Sequence, residues 1–205
     1  MFFIKFLFTM LNLNKKIFLV RHAQSMANVG LKTENPQNNH LTELGKIQEN
    51  ELLNKIKEVP DYLCYSKYVR TLETAAPLIN KYPNVKHELW ENIHEFTYLN
   101  HKNCANTTPE QRRPLVIKYW EKLDPFYSDG DNAESFHEFI IRIKDTLEKI
   151  KTLPYKNIYI FTHGQFIAAT KIVYNNMEKS DLEIMKLFFE EKRGLTISNC
   201  EIVEL

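Results

Sequence analysis

Cysteine is scarce in this chain. Three residues among 205, Cys64, Cys104 and Cys200, lie far apart. An odd, scattered set excludes a disulfide framework, and no close pair offers the spacing of a zinc site. A reducing compartment, the cytoplasm, is the simplest setting. Charge of one sign is also lacking: 27 Lys and Arg stand against 26 Asp and Glu, for a net +1. Such a balance argues against a protein that coats nucleic acid with a basic face. No low-complexity tract, solenoid-length repeat or linker divides the chain, so its length fits one domain with a good-sized core. The most apolar stretch, residues 1–13 (MFFIKFLFTMLNL), is too short to span a bilayer, which takes ~20 residues. It has one basic residue, Lys5, and no small-residue cleavage pattern before Ile17, unlike a signal peptide. Residues 1–14 are therefore expected to be an apolar extension, with Met10 as an alternative start. A weak membrane or partner contact is the other option.

What the chain does have is nearly the same phrase twice. Residues 17–24 read IFLVRHAQ and residues 158–165 read IYIFTHGQ. Apolar, β-rich runs of this kind suit strands buried on both faces of a parallel sheet, and ligands of open α/β sheets bind at the carboxyl ends of strands. If the two runs are neighbours, His22 and His163 meet at one rim beside Arg21, a site for an anion such as phosphate. The remaining pattern alternates strand and helix. A helix opens at Leu41-Thr42 and runs to about Glu58, with Thr42 as N-cap and Leu44, Ile47, Leu52 and Ile56 as its apolar side. A strand at 62–66, a helix near Val69–Lys81 and a short strand near Val85–Leu89 follow. Residues 91–130, with Pro109, Pro114, Pro125 and six aromatic residues, break the rhythm and predict an ordered insertion over one edge of the sheet. Ser135 to Glu138 then fits a capping box ahead of a helix carrying Phe136, Phe139, Ile140, Ile143, Leu147 and Ile150. A strand at 158–162, a helix from about Phe166 to Asn175 and a last strand near 196–204 complete an α/β fold with a mostly parallel central sheet flanked by helices.

Several residues can carry chemistry. A neutral histidine can attack phosphorus, and the planar fork of an adjacent arginine can hold two phosphate oxygens, which suits His22 and Arg21. The same pair would also suit a strand end closed by a satisfied core histidine. Ser25 and Asn28 lie at a helix start, where backbone N–H groups attract anions. Plain N-capping is the stronger reading of Ser25, whereas Asn28 can add a side-chain donor. Arg70 follows the strand at 62–66, again at the carboxyl edge, while its neighbour Lys67 is read as solvated. Gly164, after His163, permits close approach of backbone to ligand. Glu88, Glu91 and Glu95 are all candidate acids, and sequence chemistry does not choose among them. His40, His87, His94, His101 and His137 are read as surface or structural. His101 and Cys104 lack the two further ligands that a metal would need, so no metal or other cofactor is expected.

VRHAQSMAN, LTELG, YSKYVRTLETA, HEFTYL and FTHGQ together, in this order from about Ile17 to Ile172, resemble the phosphoglycerate-mutase-like group of the histidine phosphatase superfamily. The resemblance implies a histidine phosphatase domain over residues 15–205, with residues 91–130 capping the substrate. It implies that His22 is phosphorylated and that Arg21, Arg70 and a protonated His163 hold the phosphate, joined by Asn28. It also implies Glu95, in Ile93-His94-Glu95, as the proton donor in preference to Glu91. Ala23 replaces the usual glycine of the first motif. A tight but intact pocket is expected unless that position needs a positive φ. The chain after Glu95 lacks the LxERxYG form of phosphoglycerate mutases, and His163 follows Glu95 by only 68 positions, as in the compact phosphatase branch.

The expected activity is thus a cytoplasmic, metal-independent phosphatase acting on small phosphomonoesters through a phosphohistidine on His22. Its partner is a small phosphorylated substrate, with neither nucleic acid nor membrane. A cofactor-dependent phosphoglycerate mutase and a non-catalytic phospholigand-binding protein are the alternatives. Substrate choice is assigned to residues 91–130, where aromatics and Arg112-Arg113 can line a pocket mouth, although a solvated face is the simpler reading of the two arginines.

Overall fold

The computed structural model describes residues 15–32, 35–192 and 197–205, so the apolar extension expected at 1–14 lies outside the described residues. Among the described residues, five strands form one sheet: β1 (Lys16–Arg21), β2 (Tyr62–Ser66), β3 (Lys86–Trp90), β4 (Asn157–Thr162) and β5 (Ile202–Glu204). Their spatial order is β3-β2-β4-β1-β5. The first four are parallel and β5 pairs antiparallel with β1. Side chains alternate across the sheet with period 2. Leu19, Tyr62, Cys64, Ile158 and Ile160 face one core layer, and Phe18, Val20, Leu63, Tyr159 and Phe161 face the other. Both layers are fully covered, which explains why the two twin phrases are apolar without alternation.

Seven helices flank the sheet among the described residues: α1 (Glu43–Leu52), α2 (Val69–Lys81), α3 (His101–Cys104), α4 (Pro109–Lys122), α5 (Phe136–Thr152), α6 (Gly164–Asn175) and α7 (Asp181–Lys192). α2 matches its expected bounds. In α5, Ser135 caps the backbone N–H of Glu138 and the Glu138 carboxylate accepts from Ser135, while all six predicted apolar residues are buried. The first helix departs from expectation. Thr42 does cap Gly45, but α1 ends at Leu52, Leu44 and Ile47 are exposed, and Ile56 lies beyond it. The cause is Gly45: a Cβ there would lie 2.1 Å from the Gln24 carbonyl oxygen. Backbone-to-backbone contact at residue 45 fixes which side of α1 faces inward, and that side carries Gly45 and Leu52.

The insertion starts at the carboxyl edge, where β3 ends in Trp90. Four of its six aromatics go into the core. Phe96, Tyr98, Tyr119 and Trp120 are buried and pack against Phe136, Phe139 and Phe188. Phe126 is exposed. Arg112 is half-buried, with Nη1 3.4 Å from the Thr107 carbonyl. Arg113 is exposed.

Candidate active site

The register of β1 with β4 pairs Arg21 with Thr162, so the next residue of each strand, His22 and His163, leaves the sheet at the same level. Their rings lie edge to face with centroids 5.2 Å apart, and both are buried. His22 Nδ1 donates to the Ala23 carbonyl at 2.7 Å. With that proton committed, Nε2 carries the lone pair. Burial first, and then the Arg70 and Arg21 charges, push the His22 pKa well below its ordinary value. A neutral imidazole with a defined tautomer is the form a nucleophile requires.

The turn around His22 is held from several elements. Thr74 Oγ1 on α2 accepts from the Ala23 N–H at 2.9 Å and donates to the Arg70 carbonyl at 2.6 Å. Asn199 Nδ2 donates to the His22 carbonyl at 2.8 Å. Glu73 accepts from the Leu41 N–H and from His40. Ala23 is not among the described residues with positive φ, so alanine fits where the related motif has glycine.

Two arginines flank the histidines, Arg70 buried and Arg21 half-buried. Arg70 Nη1 donates to the Pro36 carbonyl at 2.7 Å and Nη2 to His163 Nδ1 at 3.1 Å. Arg21 Nη1 donates to the Ile197 carbonyl. The Nε–H of each is buried with no hydrogen-bond partner among the described residues. A buried, unsatisfied donor on a charged group is costly, so both mark a place built for an anion. Burial lowers the pKa of each, that of Arg70 to about 10, while the nearby Glu95 carboxylate opposes the shift. Gly164 packs against Arg21 rather than lending room to a ligand: a Cβ there would lie 3.4 Å from Arg21 Nε.

His163 departs from the expected protonated form. Arg70 can only donate, so His163 Nδ1 accepts, and Nε2 donates to Ser66 Oγ at 2.7 Å. Burial and the Arg70 charge push its pKa well down, and in this arrangement it is neutral. Asn28 is exposed and caps locally. Its Oδ1 accepts from the Ser25 N–H at 3.0 Å and from Ser25 Oγ at 3.1 Å.

The three candidate acids separate clearly. Glu88 is tied to Lys86 and to the Tyr62 hydroxyl, which hold its carboxyl down to about 2. Glu91 is exposed and lies 3.5 Å from Lys67, so the lysine is paired rather than simply solvated. Glu95 alone reaches the histidine rim: Oε1 accepts from the Phe96 N–H at 3.0 Å, and Oε2 lies 3.4 Å from the Gln165 N–H, in the first turn of α6. His94, read from sequence as surface or structural, is a half-buried neighbour of the site. It stacks on Tyr68 at 5.8 Å, Tyr68 meets His163 at 5.1 Å, and burial pushes the His94 pKa down to about 3. Ser66, Thr74, Asn199 and Arg142 also support the site, and the sequence pattern singles out none of them. Arg142 is a charge among the buried positions of α5, which only the structure reveals. Among the described residues, no group of three or more His, Cys, Asp or Glu is placed to hold a metal, and no helix is long and apolar enough to cross a membrane.

A family model, histidine phosphatase superfamily (branch 1), matches residues 17–201. A Hydrogenobacter thermophilus protein provisionally named phosphoserine phosphatase 2 is 25% identical over 150 residues, 73% of each chain. A mycobacterial glucosyl-3-phosphoglycerate phosphatase solved with VO3 shares the fold with a TM-score of 0.71 at 18% identity, over 93% of this chain and 90% of that one. An Entamoeba histolytica phosphoserine phosphatase, solved as a histidine-to-alanine mutant in complex with phosphoserine, gives 0.67 at 18% identity, over 93% and 89%.

Proposed function

The chain belongs to the histidine phosphatase superfamily, and from that premise we propose that it is a metal-independent phosphatase hydrolysing small phosphomonoesters through a phosphohistidine on His22. The observation that carries the reading is the pair of buried, unpartnered guanidinium N–H groups, Arg21 Nε and Arg70 Nε, beside a neutral histidine whose other nitrogen is fixed on Ala23. The phosphoserine and glucosyl-3-phosphoglycerate phosphatases it resembles support a small phosphorylated substrate. The three free cysteines suit a reducing, cytoplasmic setting. Residues 91–130 cap the site, chiefly by carrying Glu95.

In this mechanism His22 Nε2 attacks phosphorus in line, and the bond from phosphorus to the leaving oxygen breaks. Arg21 and Arg70 meet the equatorial oxygens, where positioning and fixed charge do most of the catalytic work. Gly164 leaves room for the Arg21 guanidinium, and the Asn28 amide adds a donor at the rim. A bound phosphate dianion reverses the electrostatics that keep His163 neutral. His163 then takes a proton, and its Nδ1 turns from the Arg70 donor to a phosphate oxygen. Glu95 gives its proton to the leaving oxygen. As a carboxylate it then takes a proton from the water that attacks phosphorus, returning the electron pair to His22 Nε2 and releasing orthophosphate.

The test is phosphate release from para-nitrophenyl phosphate, 3-phosphoglycerate and a panel of phosphorylated metabolites, with His22→Ala as control. Release from the wild type, together with an acid-labile phosphoenzyme that His22→Ala abolishes, is expected. Phosphoryl transfer between phosphoglycerates without net release would favour the mutase reading. Binding without turnover would favour a binding protein, and full activity in His22→Ala would sink the mechanism.

A further inference from the structure

Glu95 reaches the site on a short loop, and the loop is held by its backbone. Arg142 is the only charged side chain among the buried residues of α5. Its Nη1 donates to the carbonyls of Asn92 at 2.8 Å and His94 at 2.9 Å, and its Nη2 reaches the Glu95 carbonyl at 3.3 Å. The remaining donors pair with Glu134, with Nη2 2.9 Å from Oε2. Glu134 is itself laced to the far end of the loop, since its backbone N–H donates to the Thr97 carbonyl at 2.9 Å. Thr162 Oγ1 holds the Ile93 carbonyl at 2.6 Å. Four consecutive carbonyls, 92 to 95, are therefore fixed, three of them by one planar guanidinium.

A buried ion pair is a weak source of stability, because desolvation offsets its attraction and well-packed apolar residues often do as well. A rigid fork that binds three carbonyls and one carboxylate does fix geometry. We propose that Arg142, clamped by Glu134, is the positioning residue that sets the Glu95 carboxyl for proton transfer to the leaving oxygen. This rests on the reading of Glu95 as the acid.

The test is single-turnover phosphorylation of His22 by glycerol 2-phosphate and by para-nitrophenyl phosphate. The first needs a proton on its leaving oxygen and the second does not. Arg142→Lys keeps a cation against Glu134 but loses the fork. Arg142→Gln with Glu134→Gln removes both charges together, as a second route should the lysine variant fail to fold. Either should slow glycerol 2-phosphate about tenfold to a hundredfold, the scale of a small misplacement of a reacting group, and change para-nitrophenyl phosphate by less than about threefold. Placed on Glu95→Gln, the same substitutions should add no further slowing with either substrate, because they act through Glu95. Equal slowing of both substrates, or undiminished slowing in the Glu95→Gln background, would overturn the proposal while leaving the phosphatase reading intact. If Glu95→Gln itself shows no leaving-group dependence, the assignment of the acid is what fails.

Discussion

Thr74→Val should uncouple the nucleophile from its support while leaving the core filled. Valine matches threonine in shape, so no cavity opens on α2, and it keeps the β-branch. Two interactions are lost, the 2.9 Å bond from the Ala23 N–H and the 2.6 Å bond to the Arg70 carbonyl. The carbonyl still accepts within its helix, but the Ala23 N–H is left buried with no acceptor. That orphan donor costs about 1–3 kcal/mol. For a domain of this size each kcal/mol moves Tm by about 2–4 °C, so a fall of roughly 4–8 °C is the central expectation for a loss near 2 kcal/mol. Ala23 also accepts from His22 Nδ1, so a turn that relaxes to satisfy its N–H tilts the imidazole and lowers kcat more than it raises KM. Thr74→Ser is the control, since it keeps the hydroxyl and loses one methyl. It should lose some stability, on the order of 1 kcal/mol, yet keep its kcat. Thermal melts and steady-state rates on para-nitrophenyl phosphate decide the matter. A valine variant with unchanged Tm and kcat, or a serine variant with the larger drop in kcat, would refute the reasoning.

Orthophosphate, vanadate and tungstate should inhibit competitively at the Arg21 and Arg70 donors, and EDTA should leave the rate unchanged. Activity lost to EDTA and restored by zinc or magnesium would show the metal-free mechanism to be wrong. His22 and His163 have depressed pKa values in the fold and ordinary ones, ~6.5, in the unfolded chain. Below that value the unfolded chain binds protons that the native state does not. Stability is therefore full above pH ~6.5 and falls as pH drops, by up to ~1.4 kcal/mol per pH unit for each histidine. Urea titrations between pH 7 and 5 should show this slope, and His22→Asn should flatten it; an equally steep decline in that variant would contradict the assignment. Gly45→Ala should lower Tm, because overpacking against the Gln24 carbonyl, about 1–3 kcal/mol, outweighs a helix-propensity gain of ~1 kcal/mol at most. A variant that melts at or above the wild type would contradict the contact.

The inner part of the sheet was legible because β1, β2 and β4 are apolar on both faces, and the place of the candidate site because strand ends gather chemistry at one rim. Arg21, His22, Arg70, Glu95 and His163 come together there. Less legible was anything that depends on rotation about a helix axis. Leu44 and Ile47 looked inward, but a single backbone contact at Gly45 turns them to solvent. α7 is absent from the expected pattern although Ser180 and Glu183 form a capping box; its short apolar set lacks the clear stripe of α5. The neutrality of His163 could not be read from the chain, since it depends on which nitrogen Arg70 reaches. Arg142 does not stand out in the chain because a charge within a helical stripe ordinarily faces solvent.

β4 lies in the middle of the sheet, between β2 and β1, yet is the fourth of the five strands to be synthesised. Until it emerges from the ribosome, β1 and β2 each present an unpaired edge flanked by large apolar side chains, the arrangement most prone to wrong pairing. Insertion of β4 closes the facing edges of β1 and β2 at once, leaving the outer edge of β1 to β5, and it is also the step that delivers His163 beside His22. Catalytic competence and protection from aggregation thus arrive in the same event, late in synthesis. A chain that stops short of residue 157 would lack both, and its failure would show first as insolubility rather than as a weak enzyme.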